Sequence, residues 1–275
     1  QYSLRELRVT GGEPSMSPDF WKLMEWWKKN PDCKVPFAVN SNLGQKKKLL
    51  DALIESSHSF KDFTIYTSCE ATGLQAEYIR FGLIWDVWLK NMYRVNEEAN
   101  VKSVNVMMTI NSLCLFSITE FMDEMLKLKK KFGYQAAVMS FNILRFPSFQ
   151  SIVTLPEEIR LERAAAMEAW LEKNWNGGKN GFIDIERDGL LRLIEYTKSV
   201  QKGHEFTSSL DSRLRDFRSF YLQYDQRRGK DFYAAFPMLK EWFDSIPDTN
   251  LRALTKLVDG DDAKSNRYVD GVLKQ

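Results

Sequence analysis

Cysteine, histidine and long apolar runs are scarce in this chain. Three cysteines, Cys33, Cys69 and Cys114, are spread over 275 residues. They are too few for a disulfide framework and too widely spaced for a local metal knuckle, which points to a reducing compartment and makes the cytoplasm the expected location. The two histidines, His58 and His204, lie far apart in no metal-ligand pattern and read as solvated surface groups. No apolar run approaches the roughly 18 residues of a membrane span, and no charged segment followed by an apolar stretch opens the chain. Lysine and arginine total 39 against 37 acidic residues, a net charge of +2, so no broad field favours nucleic acid or an anionic bilayer as a partner. Gly-x-Gly-x-x-Gly and Gly-x-Ser-x-Gly are both absent, which removes a dinucleotide fingerprint and a nucleophile elbow. Gly177-Gly178-Lys179 lacks the earlier glycine of a phosphate loop and follows no strand, so it reads as a turn.

What is present is ample core material: 44% of the residues are hydrophobic, 13% aromatic and 28% charged, the profile of a soluble globular protein. Short β-type runs rich in Val, Ile, Phe and Met recur at Leu4 to Val9, Val35 to Val39, Phe63 to Thr67, Val104 to Ile110 and Ala137 to Leu144. Helical periodicity fills the gaps. Ser17-Pro18 opens the first helix, with Phe20, Leu23, Met24 and Trp27 on one face. The second spans about 45 to 57 behind a solvated lysine run, and the third about 74 to 93. The fourth opens on the capping-box pattern Ser117-Ile-Thr-Glu120. Four β-helix-β units in succession predict an α/β fold with a parallel sheet, doubly wound or curved toward a barrel. After about Pro156 only helices are expected: about 157 to 174, 186 to 200, 208 to 226 and 231 to 243, with a turn at 176 to 181. The expected division is therefore 1–155 and 156–275.

In parallel α/β folds ligands sit at the carboxyl ends of the strands, where the loops converge. All five ends are polar here: Thr10-Gly11-Gly12-Glu13-Pro14, Asn40-Ser41-Asn42, Thr67-Ser68-Cys69-Glu70, Thr109-Ile110-Asn111, and Asn142 followed by Arg145-Phe146-Pro147. Any one cluster is explained by turns and caps. Five together point to a site, and Glu13 and Glu70 opposed by Arg145 suit a small zwitterionic or hydroxylated ligand.

These residues carry a family resemblance. Thr10-Gly11-Gly12-Glu13-Pro14 at a strand end resembles the motif by which radical S-adenosylmethionine (SAM) enzymes hold the methionyl amino group. Asn40-Ser41-Asn42 resembles the Ser-Asn that ends the next strand in that superfamily, and Thr67-Ser68-Cys69-Glu70-Ala71-Thr72-Gly73 resembles its Ser-Ile-Asp-Gly segment, with Glu77-Tyr78-Ile79-Arg80-Phe81-Gly82 similar to the helix that follows. Tyr224-Asp225-Gln226-Arg227-Arg228-Gly229 with Phe236-Pro237 is similar to the tail of the twitch-domain branch. The resemblance implies a partial parallel (βα)6-type barrel, a radical SAM core without its first βα unit, over 1–155 and an all-helical C-terminal region over 156–275. It implies that Gly11, Gly12 and Glu13 receive the methionine amino group and that Ser68 and Glu70 lie toward the ribose. Ser41, Asn111 and Asn142 become neighbours of SAM, and Arg145 meets its carboxylate or the substrate. SAM and a [4Fe-4S] cluster become the cofactors, an external electron donor and a peptide or protein substrate the partners, and reductive cleavage of SAM for hydrogen abstraction the activity.

The family holds its cluster with Cys-x3-Cys-x2-Cys, and the three cysteines here have none of that spacing. The chain opens on Gln1 a few residues before the Gly-Gly-Glu strand, and the expectation is a fragment of a longer enzyme, inactive alone, with cluster ligands in an absent N-terminal segment. Three alternatives stay open: a non-catalytic SAM-binding module, a barrel glycosidase using Glu13 and Glu70 as its carboxylate pair, and an interaction module built on the arginine- and aromatic-rich stretch Arg213 to Arg228.

Overall fold

The structure, a computed structural model, describes residues 4–199 and 208–247. His204 and Val200, the expected end of a helix, lie outside the described residues, as do 248–275. Five strands, β1 (Leu7–Val9), β2 (Phe37–Asn40), β3 (Phe63–Thr67), β4 (Ser103–Ile110) and β5 (Val138–Ile143), form one parallel sheet whose spatial order is the order of the chain. Each falls in its expected place, β1 and β2 with the ends shifted by two to three residues. Crossovers of the usual right hand, applied to strands added in sequence, place every connecting helix on one face. That is the build of a barrel segment, an open curved sheet, and it excludes the doubly wound alternative.

The register fixes which side chains share a face. Phe37 pairs with Phe63, Ile65 with Val104 and Val106 with Met139, all turned to the helices; Arg8 pairs with Ala38, Asn40 with Tyr66, Tyr66 with Asn105 and Thr109 with Asn142, all turned the other way. In β4 the apolar Val104, Val106, Met108 and Ile110 are wholly buried while Ser103, Asn105, Met107 and Thr109 alternate with them. A parallel sheet covered on both faces reads as a continuous apolar run; this one is covered on one face and presents a polar surface on the other.

Behind the sheet lie α1 (Pro18–Lys29), α2 (Lys47–Ser57), α3 (Gly73–Ile79), α4 (Trp85–Glu98) and α5 (Ile118–Phe132). The centre of this layer is aromatic: Phe37 stacks on Phe60 at 4.7 Å between ring centroids and meets Trp27 at 5.1 Å. The single helix expected over 74 to 93 is broken in two. Arg80 leaves α3 in an extended conformation and Gly82 turns the chain with φ +85° before α4 begins. The capping box expected at Ser117 is also not formed, because the Ser117 hydroxyl is spent accepting from the Thr72 backbone N–H at 3.1 Å.

No strand follows Ile143 among the described residues, as expected. The helical region comprises α6 (Glu157–Asn174), α7 (Asp184–Lys198), α8 (Leu210–Arg228), α9 (Phe232–Ala235) and α10 (Lys240–Ser245). The helix expected over 231 to 243 is interrupted at Pro237, whose ring cannot continue it. The apolar core runs without a break from Phe20 and Trp27 to Phe217 and Phe243. A buried ion pair joins the two regions: the Lys129 ammonium on α5 lies 2.7 and 2.9 Å from the Glu186 carboxylate oxygens on α7, both side chains fully inaccessible, and also donates to the carbonyls of Tyr134 and Gly181. Glu186 in turn accepts from the Met139 N–H of β5 at 2.7 Å. Among the described residues no helix is long and apolar enough to cross a membrane.

Truncating the stacked centre leaves a void that the flat neighbouring rings cannot fill. Phe37→Ala should therefore cost about 3–5 kcal/mol in urea unfolding. Lys129→Ala, which strands a buried carboxylate, should also cost about 3–5 kcal/mol, whereas a Lys129→Met/Glu186→Met double variant should recover most of that loss.

Candidate functional site

The first rim loop is organised by one carboxylate. Glu13 caps a 3-10 turn over Pro14–Met16 and accepts from the Ser15 hydroxyl at 2.9 Å. Across the sheet, the Ser41 hydroxyl at the end of β2 lies 3.0 and 3.1 Å from its two oxygens, and the Asn42 N–H donates to it at 2.7 Å. The Trp21 indole fastens the turn from below by donating to the Ser15 carbonyl at 2.8 Å. Glu13 thus ties the ends of β1 and β2 together. Gly11 and Gly12 are left exposed on top with φ of +96° and +52°, and a Cβ built on either would have no atom within 4 Å. Their conformation is one that a side chain disfavours, and their backbone is open to a ligand's close approach.

The end of β3 is built differently. Glu70 is 2% exposed, and Arg80 grips its carboxylate in a bidentate ion pair, Nε at 2.9 Å and Nη2 at 2.6 Å, while the Thr109 N–H of β4 approaches at 3.4 Å. Burial pushes the Glu70 carboxyl above its ordinary value, and the Arg80 guanidinium pulls against that. Glu70 is turned inward to Arg80, so its carboxylate secures the loop and is not presented to a sugar hydroxyl. Ser68, two residues earlier, is half-buried at the rim.

The next ends are also engaged. The Asn111 side-chain Oδ1 accepts from the Leu113 and Cys114 N–H groups at 2.9 and 3.2 Å, capping the 3-10 turn over Ser112–Phe116. Asn142 donates to the Met108 carbonyl at 3.0 Å. Asn142 and Arg145 line a separate hollow of about 740 Å³ between β5 and α7, where the Arg145 guanidinium stands 5.4 Å from the centre of the Tyr196 ring. The nine expected positions therefore fall into three neighbourhoods along one rim. Glu13 and Ser41 are joined by direct hydrogen bonds, with Gly11 and Gly12 immediately before Glu13 in the same loop. Ser68 and Glu70 follow β3, Asn111 follows β4 and Asn142 sits beside Thr109 in the β4–β5 register, while Arg145 lies farther out in the hollow against α7.

Three contributors emerge only in three dimensions. Arg80 is placed beside Glu70 by the helix break, which no spacing signals. Asn42 acts through its backbone. Asn40 lies on the polar face of the sheet with a buried side-chain oxygen that has no hydrogen-bond partner among the described residues; the alternation along β2 was the available signal.

Cys69 and Cys114 are buried free thiols, as expected of small apolar residues. Burial, reinforced by the Glu70 charge, pushes Cys69 up to about 12 and Cys114 well above its usual value, so neither is poised as a thiolate ligand. No group of three His, Cys, Asp or Glu side chains among the described residues could hold a metal ion. These residues do not fit a [4Fe-4S] cluster. They fit a glycosidase pair no better, since Glu13 is held by four donors and Glu70 is sealed against Arg80.

No protein-family model matches the sequence, and no curated protein matches it. Two solved structures are similar in part. One is a domain of pyruvate-formate lyase-activating enzyme from Bacteroides vulgatus, with 14% identity and a TM-score of 0.39, covering 60% of this chain and 93% of that one. The other is native anSMEcpe with bound AdoMet and Cp18Cys peptide, with 13% identity and a TM-score of 0.38, covering 88% of this chain and 86% of that one.

Removing Arg80 leaves Glu70 buried and unpaired, so Arg80→Ala should cost about 3–5 kcal/mol at pH 7 by chemical denaturation. The sign of its pH dependence follows from linkage. In the variant the folded-state pKa of Glu70 is raised above the unfolded value, so the penalty is fully present above that raised value and shrinks as pH falls through it toward the unfolded one. A deficit that stays constant down to pH 4 would contradict this account.

Proposed function

We propose that the strand ends of residues 1–155 bind S-adenosylmethionine, as the SAM-holding part of a radical SAM barrel, with 156–275 as a separate C-terminal region whose described part is helical. The observation that carries the reading is the Gly11-Gly12-Glu13 loop. Its carboxylate is turned down onto Ser41 and Asn42, so that what faces outward is bare glycine backbone in left-handed conformations. A sulfonium amino acid brings a charged amine that needs carbonyl acceptors at close range, which an exposed Gly-Gly offers and a side chain would obstruct. The unpaired Asn40 oxygen at the end of the neighbouring strand β2 adds an acceptor whose burial without a partner costs about 1–3 kcal/mol, a cost that a ligand donor offsets.

In this reading Gly11 and Gly12 receive the methionine amine and Glu13 fixes their loop through Ser41. Ser68 lies toward the ribose; Glu70 keeps the β3 loop closed by holding Arg80. Asn111 and Asn142 shape the rim as a cap and as a strand tie. Arg145, in the hollow beside α7, lies toward the SAM carboxylate or the substrate. SAM, when bound in enzymes of this superfamily, supplies the deoxyadenosyl group used for hydrogen abstraction. The described residues do not fit the cluster that this chemistry requires, so they account for binding and positioning alone. An external electron donor and a peptide or protein substrate belong to the same proposal. The stretch resembling the twitch-branch tail is docked on α3: Asp225 accepts from the Tyr78 hydroxyl at 2.7 Å and the Tyr224 hydroxyl donates to the Tyr78 carbonyl at 2.9 Å.

The test is equilibrium dialysis of the full chain against labelled SAM. Binding should fall about tenfold in Gly12→Val, because a β-branched residue at φ +52° costs roughly 1–2 kcal/mol in loop conformation, and by a similar factor in Ser41→Ala. Absence of SAM binding, or binding unaltered by both changes, would overturn the proposal. Hydrolysis of a nitrophenyl glycoside abolished by Glu13→Gln would favour the glycosidase.

A further inference from the structure

A second hollow, of about 900 Å³, opens at the other end of the molecule. It lies where α5 and α6 end and the 176–181 turn crosses them, near the amino end of β5. Its size is within the range that encloses a nucleotide-sized ligand. Its lining is strongly one-signed. Lys130 comes from the last turn of α5, Lys173 from the last turn of α6 and Lys179 from the turn itself, and no carboxylate among the described residues pairs with any of them. Lys127 also faces the hollow but is neutralised by Glu124 at 2.7 Å. The one carboxylate on its wall, Asp123, accepts from the Trp170 indole at 2.7 Å.

Lysines in the last turn of a helix ordinarily serve the negative end of its dipole. Here several carbonyls at and just beyond those ends have other donors. Buried Lys129 serves Tyr134 and Gly181, the Gly133 N–H serves Lys129, and Asn180 donates to the Asn174 carbonyl at 2.7 Å. The ammonium groups of Lys130, Lys173 and Lys179 make no hydrogen bond or ion pair with a described residue. The turn that carries Lys179 is also fixed. The Asn176 side chain accepts from the Asn180 N–H, the Gly181 N–H closes on Gly178, and a Cβ on Gly181 would come within 3.1 Å of Lys129.

We propose that this hollow is a binding site for a small polyphosphate anion of nucleotide size, held by Lys130, Lys173 and Lys179 as three point charges on its wall. It is separate from the strand-end rim and does not rest on the SAM reading.

The experiment is isothermal titration of the full chain with sodium tripolyphosphate and, separately, with ATP, both without added metal and at about 0.15 M salt, where distant surface charges are screened. Micromolar binding of either probe, weakened at least tenfold in Lys173→Glu/Lys179→Glu and less than twofold in Lys29→Glu/Lys34→Glu on the α1 side, is the expected result. Equal binding of the two probes would assign recognition to the phosphates alone, and tighter binding of ATP would bring the nucleoside into the same hollow. Lys130→Gln, which alters one exposed side chain, should weaken binding at least threefold and carries the test if the double variant does not fold. No binding of either probe overturns the proposal. So does equal weakening by the α1-side control, which would mark the attraction as unspecific.

Discussion

Burial of the five parallel strands on one face only is the constraint from which the rest of the architecture follows. Strands laid down in chain order send all their crossovers to the same side, so the apolar half of each strand meets helices while the other half meets none of them. An apolar second face would have been an exposed hydrophobic patch. The alternation Thr64, Tyr66 and Ser103, Asn105 avoids that. It also produces a polar concave surface leading up to the rim where the loops gather. The site is thus a consequence of the covering pattern, with no extra element needed to build it.

Carboxylates then act as fasteners between neighbouring pieces. Glu13 joins the ends of β1 and β2, Glu70 joins the β3 loop to α3 through Arg80 and to β4 through Thr109, and Glu186 joins α7 to α5 and to the outer edge of β5. Each accepts from groups on two or more elements, which a hydrophobic contact of the same area would not orient. Hydrogen bonds to a charged acceptor are the stronger kind, about 1.5–3 kcal/mol each. Glu186 also occupies an edge N–H of β5, one of the devices by which a sheet edge is blunted.

The strands and the helical character of the described residues after Ile143 are legible because apolar periodicity and β-branched runs are local signals. β3 was read to the residue, since Phe63 to Thr67 alternates cleanly between turn-rich flanks. The breaks were not legible. Leu74 to Tyr93 has continuous helical spacing, and what splits it is Arg80 reaching back to Glu70, a contact across ten residues that only the fold creates. Ser117 likewise carries a capping-box sequence but gives its hydroxyl to Thr72, a competitor 45 residues away. At the rim, Gly11-Gly12-Glu13 stands out as a strand-end motif, while the inward turn of Glu70 and the placing of Arg145 in the hollow against α7 depend on side-chain direction and on the position of α7. Neither is written in spacing.

The three thiols differ in how they are seated. Cys69 and Cys114 are sealed in the core with their protons firmly held, whereas Cys33, just past the C-terminal end of α1, is only half-buried. Under native conditions a maleimide would therefore meet one reachable sulfur, remote from the rim. A fluorophore could be attached there without replacing any other residue, giving a single labelled position from which the chain's encounters in solution can be followed.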